Sequence, residues 1–441
     1  MDALPLPPRP NLDQYRKRAK ELLHAAQTGD AAIRAWASAY LAALANALDV
    51  TRTPNFSSLL AQAIDTLVER TTKKVAASKG AFTLADAQHL LATIHGFANW
   101  AAFARHVDAP HKGDVHAGEF EAAVDAVVSG DLDALRAIVA ARPAIVHDHS
   151  PREHRATLLH YVAANGVEDY RQRTPLNAVE IARFLLDAGA KVDAFADTYG
   201  RDYWQTTMNL MVSSAHPHIA GLMSPLVDLL LDYGAAMNGV KDDESPLLTA
   251  IAFGYMDAAE TLARRGARVD NVFTAAPLGR LDLVKAFVVD KDTLAPGVPL
   301  IAPQWRPVST IAREHIEAAF VLACRFGRVD VAEFFLGLGV NPAAADTDNM
   351  TALHHTAARG LIDLSRALIA RGVPLEVENA WQGTVLDSTA HFAEYMPHAG
   401  VDYMAIMDVL VDAGANIAVL DAYPDDSRVV TPFLRKRGRR A

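Results

Sequence analysis

Apolar residues along the middle and end of this chain recur three and four places apart in short blocks, and each block closes on a glycine. "TLLHYVAANG" (157–166), "SPLLTAIAFG" (245–254) and "TALHHTAARG" (351–360) each run from Ser or Thr, through Leu at the third place, to Gly at the tenth. A spacing of three and four puts the apolar side chains on one helical face, and the small residues between them allow close approach of a neighbouring helix. A second apolar block follows each first one and also ends in glycine: "VEIARFLLDAG" at Gly189, "MDAAETLARRG" at Gly266 and "LIDLSRALIARG" at Gly372. "VDVAEFFLGLG" and "MAIMDVLVDAG" extend the series to Gly339 and Gly414. Gly234 to Gly266 is 32 residues and Gly339 to Gly372 is 33, so the pattern predicts paired short helices at a fixed period.

The punctuation has a physical reason. Ser245 and Thr351 are placed to cap a helix by accepting a backbone N–H, and Pro246 falls in the first turn, where its missing donor costs nothing. Gly254 and Gly360 are placed to end the helix in a left-handed turn without a side-chain clash. One such unit cannot bury its apolar face alone, so the chain is expected to stack units into a solenoid.

These residues resemble ankyrin repeats, whose pattern runs D-x-x-G-x-T-P-L-H-x-A-A-x-x-G into a second helix and G-A. "DTDNMTALHHTAARG" (346–360) follows it with Asn349 in the glycine place, Ala352 in the proline place and Thr356 in the first alanine place. The expected fold class is all-α: an ankyrin-repeat solenoid of about eight helix-pair repeats with an N-terminal helical capping region. Units begin near Phe120, Thr157, Thr206, Ser245, Phe273, Ala318, Thr351 and Thr384, the fifth shortened and the first lacking the Thr-Pro start. The expected organisation is an N-terminal helical region over 1–110, a repeat array over 117–420 and a tail over 421–441. The whole is similar to long bacterial ankyrin-repeat proteins in which a helical segment precedes the repeats. "LPPRPNLDQYRKRAKELL" and "LADAQHLLATIHGFANWAAFARHV" resemble that segment. They read as amphipathic helices, with Leu84, Ala87, Leu91 and Ile94 on one face and Trp100, Phe103 and Val107 after a stop at Gly96. A cap for the apolar end of the array is the expected role.

Composition narrows the function. The 441 residues are 51% hydrophobic and 21% charged, too apolar for a disordered chain. A net charge of −10 argues against a general nucleic-acid binder, and the closing "RKRGRR" reads as a solvated tail. No stretch is apolar over the ~20 residues a bilayer span needs, and "MDALPLPPRP" is not a secretory signal. A single cysteine, Cys324, allows no intramolecular disulfide and fits a reducing cytoplasm. It occupies an alanine place of its repeat and is expected to be an inert packing residue.

The paired histidines of "TALHHTAARG" are the most conspicuous chemistry. The resemblance gives His354, and His160 in "TLLHYVAANG", a structural role: the imidazole hydrogen-bonds the adjacent turn. His355 falls on an x position and is expected to be exposed or groove-facing. His216/His218 and His147/His149 have the separation of some metal ligands but lack a third partner of fixed spacing. "DTDN" opens like a calcium loop, yet its twelfth place is Ala357. No catalytic motif, cofactor or metal site is expected. The reading is a monomeric, non-enzymatic scaffold that binds a protein partner, and neither nucleic acid nor membrane, on its concave face and turn fingers. The expected contact residues are Tyr199, Arg201, Tyr203 and Trp204 on a lengthened turn, Trp381 on another, and Phe253, Arg325, Phe326 and Arg359 at first-helix ends. The competing readings are a ligand- or metal-binding, even catalytic, solenoid using the histidine-bearing insertions, and an inhibitor or effector paired with a neighbouring gene product. The proline-rich "LAPGVPLIAPQWRP" is expected to strap over the fifth unit through Trp305 or to offer a binding surface, and "VEDYRQRTPLNA" is an insertion between paired helices with no assigned role.

Overall fold

Asn11 accepts the backbone N–H groups of Asp13 and Gln14 and so starts α1 (Leu12–Thr28), the first of five N-terminal helices in the computed structural model. That structure describes residues 3–7, 10–48, 56–78, 82–108, 115–198, 204–240, 245–303 and 307–439. Gly29, at φ 122°, turns the chain into α2 (Asp30–Ala47), followed by α3 (Phe56–Ala77), α4 (Leu84–Ile94) and α5 (Trp100–Asp108). Thr83 and Asp86 close a capping box at the head of α4, a device worth about 1 kcal/mol. The expected apolar faces meet in one core, where Tyr15, Leu22, Ile33, Leu67, Leu91, Ile94, Phe97 and Phe103 are buried together.

The rest of the chain is helix pairs. They are α6 and α7 (Val115–Ser129, Leu132–Ala141), α8 and α9 (Leu158–Val162, Ala178–Asp187), and α10 (Thr207–Met211) with α12 (Met223–Asp232), a short α11 (Ala215–Ile219) lying between them. Then come α13 and α14 (Pro246–Phe253, Met256–Arg264), α15 and α16 (Val272–Ala275, Leu281–Phe287), and α17 and α18 (Ala312–Arg325, Val329–Gly337). The last are α19 and α20 (Ala352–Ala358, Ile362–Ile369), α21 and α22 (Val385–Tyr395, Tyr403–Asp412), and a final α23 (Val430–Lys436). Among the described residues, eight pairs with intervening turns make the all-α, ankyrin-type repeat architecture expected from the pattern. The chain divides into two compact units, Met1–Arg265 and Gly266–Ala441. The first holds the N-terminal helices and four pairs, the second the other four pairs and α23.

Within the second unit the repeat punctuation is visible atom by atom. Thr351 Oγ1 accepts the N–H of His354, and the N–H of Thr351 donates to His354 Nδ1 at 3.1 Å. Asp346 Oδ1 accepts the N–H groups of Asp348 and Met350, which folds the finger ahead of α19. Asn349 there has φ 55°, the left-handed conformation that explains a glycine in the corresponding place of the pattern. Gly360, at φ 67°, is required twice over, because a Cβ at that position would lie 2.5 Å from Val401 Cγ1. Ser245 differs from expectation: its side chain makes no cap bond to α13, and Pro246 at the first helical position starts that helix instead.

The end of the chain differs as well. Residues 421–441, read from the sequence as a tail, include α23, whose Val430, Phe433 and Leu434 are buried in the core of the second unit. Three cations of its basic run are paired: Lys436 and Arg437 meet Asp408, Arg437 reaches Asp412 at 2.7 Å, and Arg439 reaches Asp421 at 2.8 Å. Three carboxylates spread over residues 408–421 thus hold three of the cations of a run that looks solvated when read alone.

Candidate functional site

The structure gives the two adjacent histidines different neighbours and a common structural role. Because His354 Nδ1 accepts the Thr351 N–H, its proton sits on Nε2, and the ring faces the backbone of Val377 and Gly383 in the next finger. Burial pushes its pKa down to about 4, so it is neutral at physiological pH. His160 repeats the arrangement with Thr157, and burial takes it to about 3. His355 corrects the expectation of an exposed x position: it is only 9% exposed, and its Nε2 meets Asp346 Oδ2 at 2.9 Å. The aspartate that folds the finger also fixes the ring, so the second histidine braces the turn from inside.

The expected contact residues divide into three groups. Tyr199, Arg201 and Tyr203 lie outside the described residues. Trp204 sits at the foot of their finger in a short antiparallel ladder, β1 (Phe195–Asp197) against β2 (Trp204–Thr206), opposite Asp197 and partly exposed. Trp305 likewise lies outside the described residues.

Trp381 and Phe253 project. Trp381 is 70% exposed on a finger whose backbone is held rigidly: Asn379 Oδ1 accepts the N–H groups of Trp381 and Gly383, and Asn379 Nδ2 donates to Ser388 Oγ. The preceding finger braces it through Ala380 N–H to Asp348 O at 2.8 Å and Asn349 Nδ2 to Glu378 O at 2.7 Å. Phe253, 45% exposed, ends α13 beside Tyr255.

The third group stitches repeats together. Arg359 Nε donates to the carbonyl of Arg325 at the end of α17, and Arg328 Nε donates to Pro277 O at 2.6 Å, so each arginine satisfies a carbonyl of the preceding pair. Phe326 lies buried beneath the guanidinium groups of Arg325 and Arg359, 5.3 and 6.0 Å from its ring centre. The sequence places it among the contact residues; the two guanidinium groups cover its ring instead. Desolvation and the charges of Arg328 and Arg325 lower the Arg359 pKa, so these guanidinium groups create a positive local potential.

A second constellation, in the first unit, was not picked out from the sequence. Arg152, with a side chain 1% exposed, donates through Nη1 to His95 O at 2.9 Å and through Nη2 to Glu121 Oε2 and Tyr170 Oη, both at 3.4 Å. Its Nε faces the buried carboxylate of Glu168, and its plane lies 5.3 Å from the Phe97 ring. Arg171 reaches Asp125 Oδ1 through Nε and Nη2 at 3.1 and 2.7 Å, Glu121 Oε2 at 2.5 Å and Glu168 Oε1 at 3.4 Å. Burial alone would raise the pKa of Glu121, but the two guanidinium groups outweigh it and hold the carboxyl at about 2. Glu168 is held low in the same way, chiefly by Arg152. Leu6, Pro7, Pro10, His106, Gly118, Glu121, Ala122, Asp125, Arg152, Tyr170 and Arg171 line a cavity of about 290 Å³ against this cluster. Arg152 lies in the "SPREHRA" loop and Arg171 in the "VEDYRQRTPLNA" insertion. The only sequence signal was an insertion richer in charge and aromatics than a connector needs.

One histidine of each pair considered as ligands is engaged elsewhere. His218 Nδ1 meets Asp257 Oδ2 at 3.0 Å on α11, and His149 Nδ1 meets Arg155 O at 2.6 Å. Among the described residues no three His, Cys, Asp or Glu side chains converge on a metal position, and no helix is long and apolar enough to cross a membrane.

No protein-family model matches this chain, and no curated protein matches it. Among solved structures, the crystal structure of the human ASB11 ankyrin repeat domain is similar at 18% sequence identity, covering 65% of this chain and 96% of that domain, with a TM-score of 0.32.

Proposed function

We propose that this chain is a non-enzymatic protein-interaction scaffold acting in the cytoplasm, with its turn fingers and first-helix ends as the contact elements. The observation that carries the reading is Trp381, a large amphipathic ring held 70% exposed on a finger that is hydrogen-bonded at both ends and to its neighbour. A connector has no need of a tryptophan, whereas a rigid aromatic on a preorganised turn gains contact area at little entropic cost. Phe253 supports the same role in the first unit, and the Arg325, Phe326 and Arg359 stack offers a positively charged patch over an apolar floor in the second. The finger of Tyr199, Arg201, Tyr203 and Trp204 belongs to the same proposal. Affinity capture of the tagged full chain and of its Trp381→Ala variant from the native cytoplasm tests it. The variant should keep its melting temperature, because an exposed ring contributes within about 0.5 kcal/mol to stability, and should lose the captured partner. Undiminished capture by the variant would remove Trp381 from the contact surface.

A further inference from the structure

The cavity in the first unit has an unequal supply of donors and acceptors. The N–H groups of Arg152 and Arg171 are directed at carboxylates, at His95 O and at Tyr170 Oη, as described above. Arg152 Nε makes no hydrogen bond but lies in ion-pair contact with Glu168, whereas the unpartnered atoms of the side chains lining the cavity's carboxylate side are acceptors. Glu121 Oε1 and His106 Nδ1 are buried without a hydrogen-bond partner, and the His106 side chain is only 9% exposed. His106 Nε2 lies 3.8 Å from Glu121 Oε1, which favours the tautomer with the proton on Nε2 and leaves a lone pair on Nδ1. At the rim, Asp125 is 66% exposed and uses only Oδ1 for Arg171. Three carboxylates, Glu121, Glu168 and Asp125, face two guanidinium groups, with His154 beside Glu168, so the carboxylates outnumber the guanidinium groups by one. Buried acceptors without donors are costly, and the missing component is a positively charged N–H donor.

We propose that this cavity binds a primary ammonium group on a short aliphatic chain, with Glu121, His106 and Asp125 accepting its N–H groups and Leu6, Pro7 and Ala122 packing its methylenes. A volume of about 290 Å³ suits a ligand of that size and lies at the small end for ligand sites. The site is separate from the contact elements proposed above and does not depend on them. The ammonium group comes either from a free small amine or from a lysine side chain of another protein.

The test uses the full chain in isothermal titration with n-butylammonium chloride, n-butanol and Nα-acetyl-lysine methylamide. Butylammonium should bind with a dissociation constant on the order of 1 mM and butanol at least about tenfold more weakly. Asp125→Asn removes a rim charge, and Ala122→Leu narrows the cavity without touching a charge. Both sit at exposed positions on α6, and each should weaken butylammonium binding at least about threefold. Comparable binding of the lysine derivative would assign the ammonium to a partner's lysine, and its exclusion would assign it to a free amine. No butylammonium binding at about 10 mM, equal binding of butanol, or binding indifferent to both substitutions would overturn the proposal.

Discussion

Replacing Arg152 by methionine removes a side chain that joins the N-terminal helices to the repeats of the first unit through a buried charge. Arg152 bonds His95 O just after α4, packs on Phe97, and pairs with Glu121 on α6 and Glu168 in the second pair's insertion. Methionine refills most of the volume, so the loss is mainly electrostatic. Glu168, with no exposed side-chain surface, keeps Arg171 at 3.4 Å, His154 at 3.5 Å and the Tyr161 hydroxyl at 3.5 Å, but loses its nearest guanidinium. Breaking a buried pair by removing one partner costs about 3 to 5 kcal/mol, because the remaining charge is left uncompensated. A chain of two units need not unfold in one step, so hydrogen–deuterium exchange is the better assay. If residues 84–108 exchange through release from the first repeats, their amides should speed up by about 10² to several times 10³-fold. Lowering the pH should reduce the penalty, because Glu168 freed from Arg152 becomes protonated in the folded state. Glu168→Gln added to Arg152→Met should recover part of the loss. Exchange in the single variant within about threefold of the parent would refute this account of the cluster.

Two further outcomes follow from buried groups. His95, His160 and His354 are neutral in the folded chain, burial holding their pKa values at about 3, 3 and 4 against an ordinary 6.5. The unfolded chain therefore binds more protons below pH 6.5, and stability contributed above that value is lost as pH falls toward 4, by about 3 kcal/mol for His354 alone. A melting temperature flat from pH 7.5 to about 4.5 would contradict it. Cys324 is fully buried, and burial raises its thiol pKa, so a thiol reagent should label the folded chain at least about 10²-fold more slowly than the urea-unfolded chain.

The repeat frame was legible because its determinants are local. A threonine three places before a histidine, Asn349 in a glycine place and Gly360 after the helix each act within a few residues, and the structure shows each doing so. What was not legible depends on partners the pattern does not index. Arg152 and Glu168 are 16 residues apart in segments without a period, and their meeting follows from how the insertion folds back. His355 counts as an outward position on an isolated helix, but the finger brings Asp346 over it. Lys436, Arg437 and Arg439 read as solvated because their acidic partners lie on α22 and in the turn after it. Phe326 sits at the helix end the pattern indicates, yet the pattern does not show that the guanidinium groups of Arg325 and Arg359 cover it.

The central claim is that the fingers and first-helix ends are the surfaces that meet a partner. Hydrogen–deuterium exchange of the full chain, alone and saturated with its captured partner, tests it most directly. The account predicts slowed exchange around Trp381 and Trp204 and at the C-terminal ends of α13, α17 and α19. Protection confined to the second helices of the pairs, α14, α18 and α20, with the fingers unchanged, would contradict it.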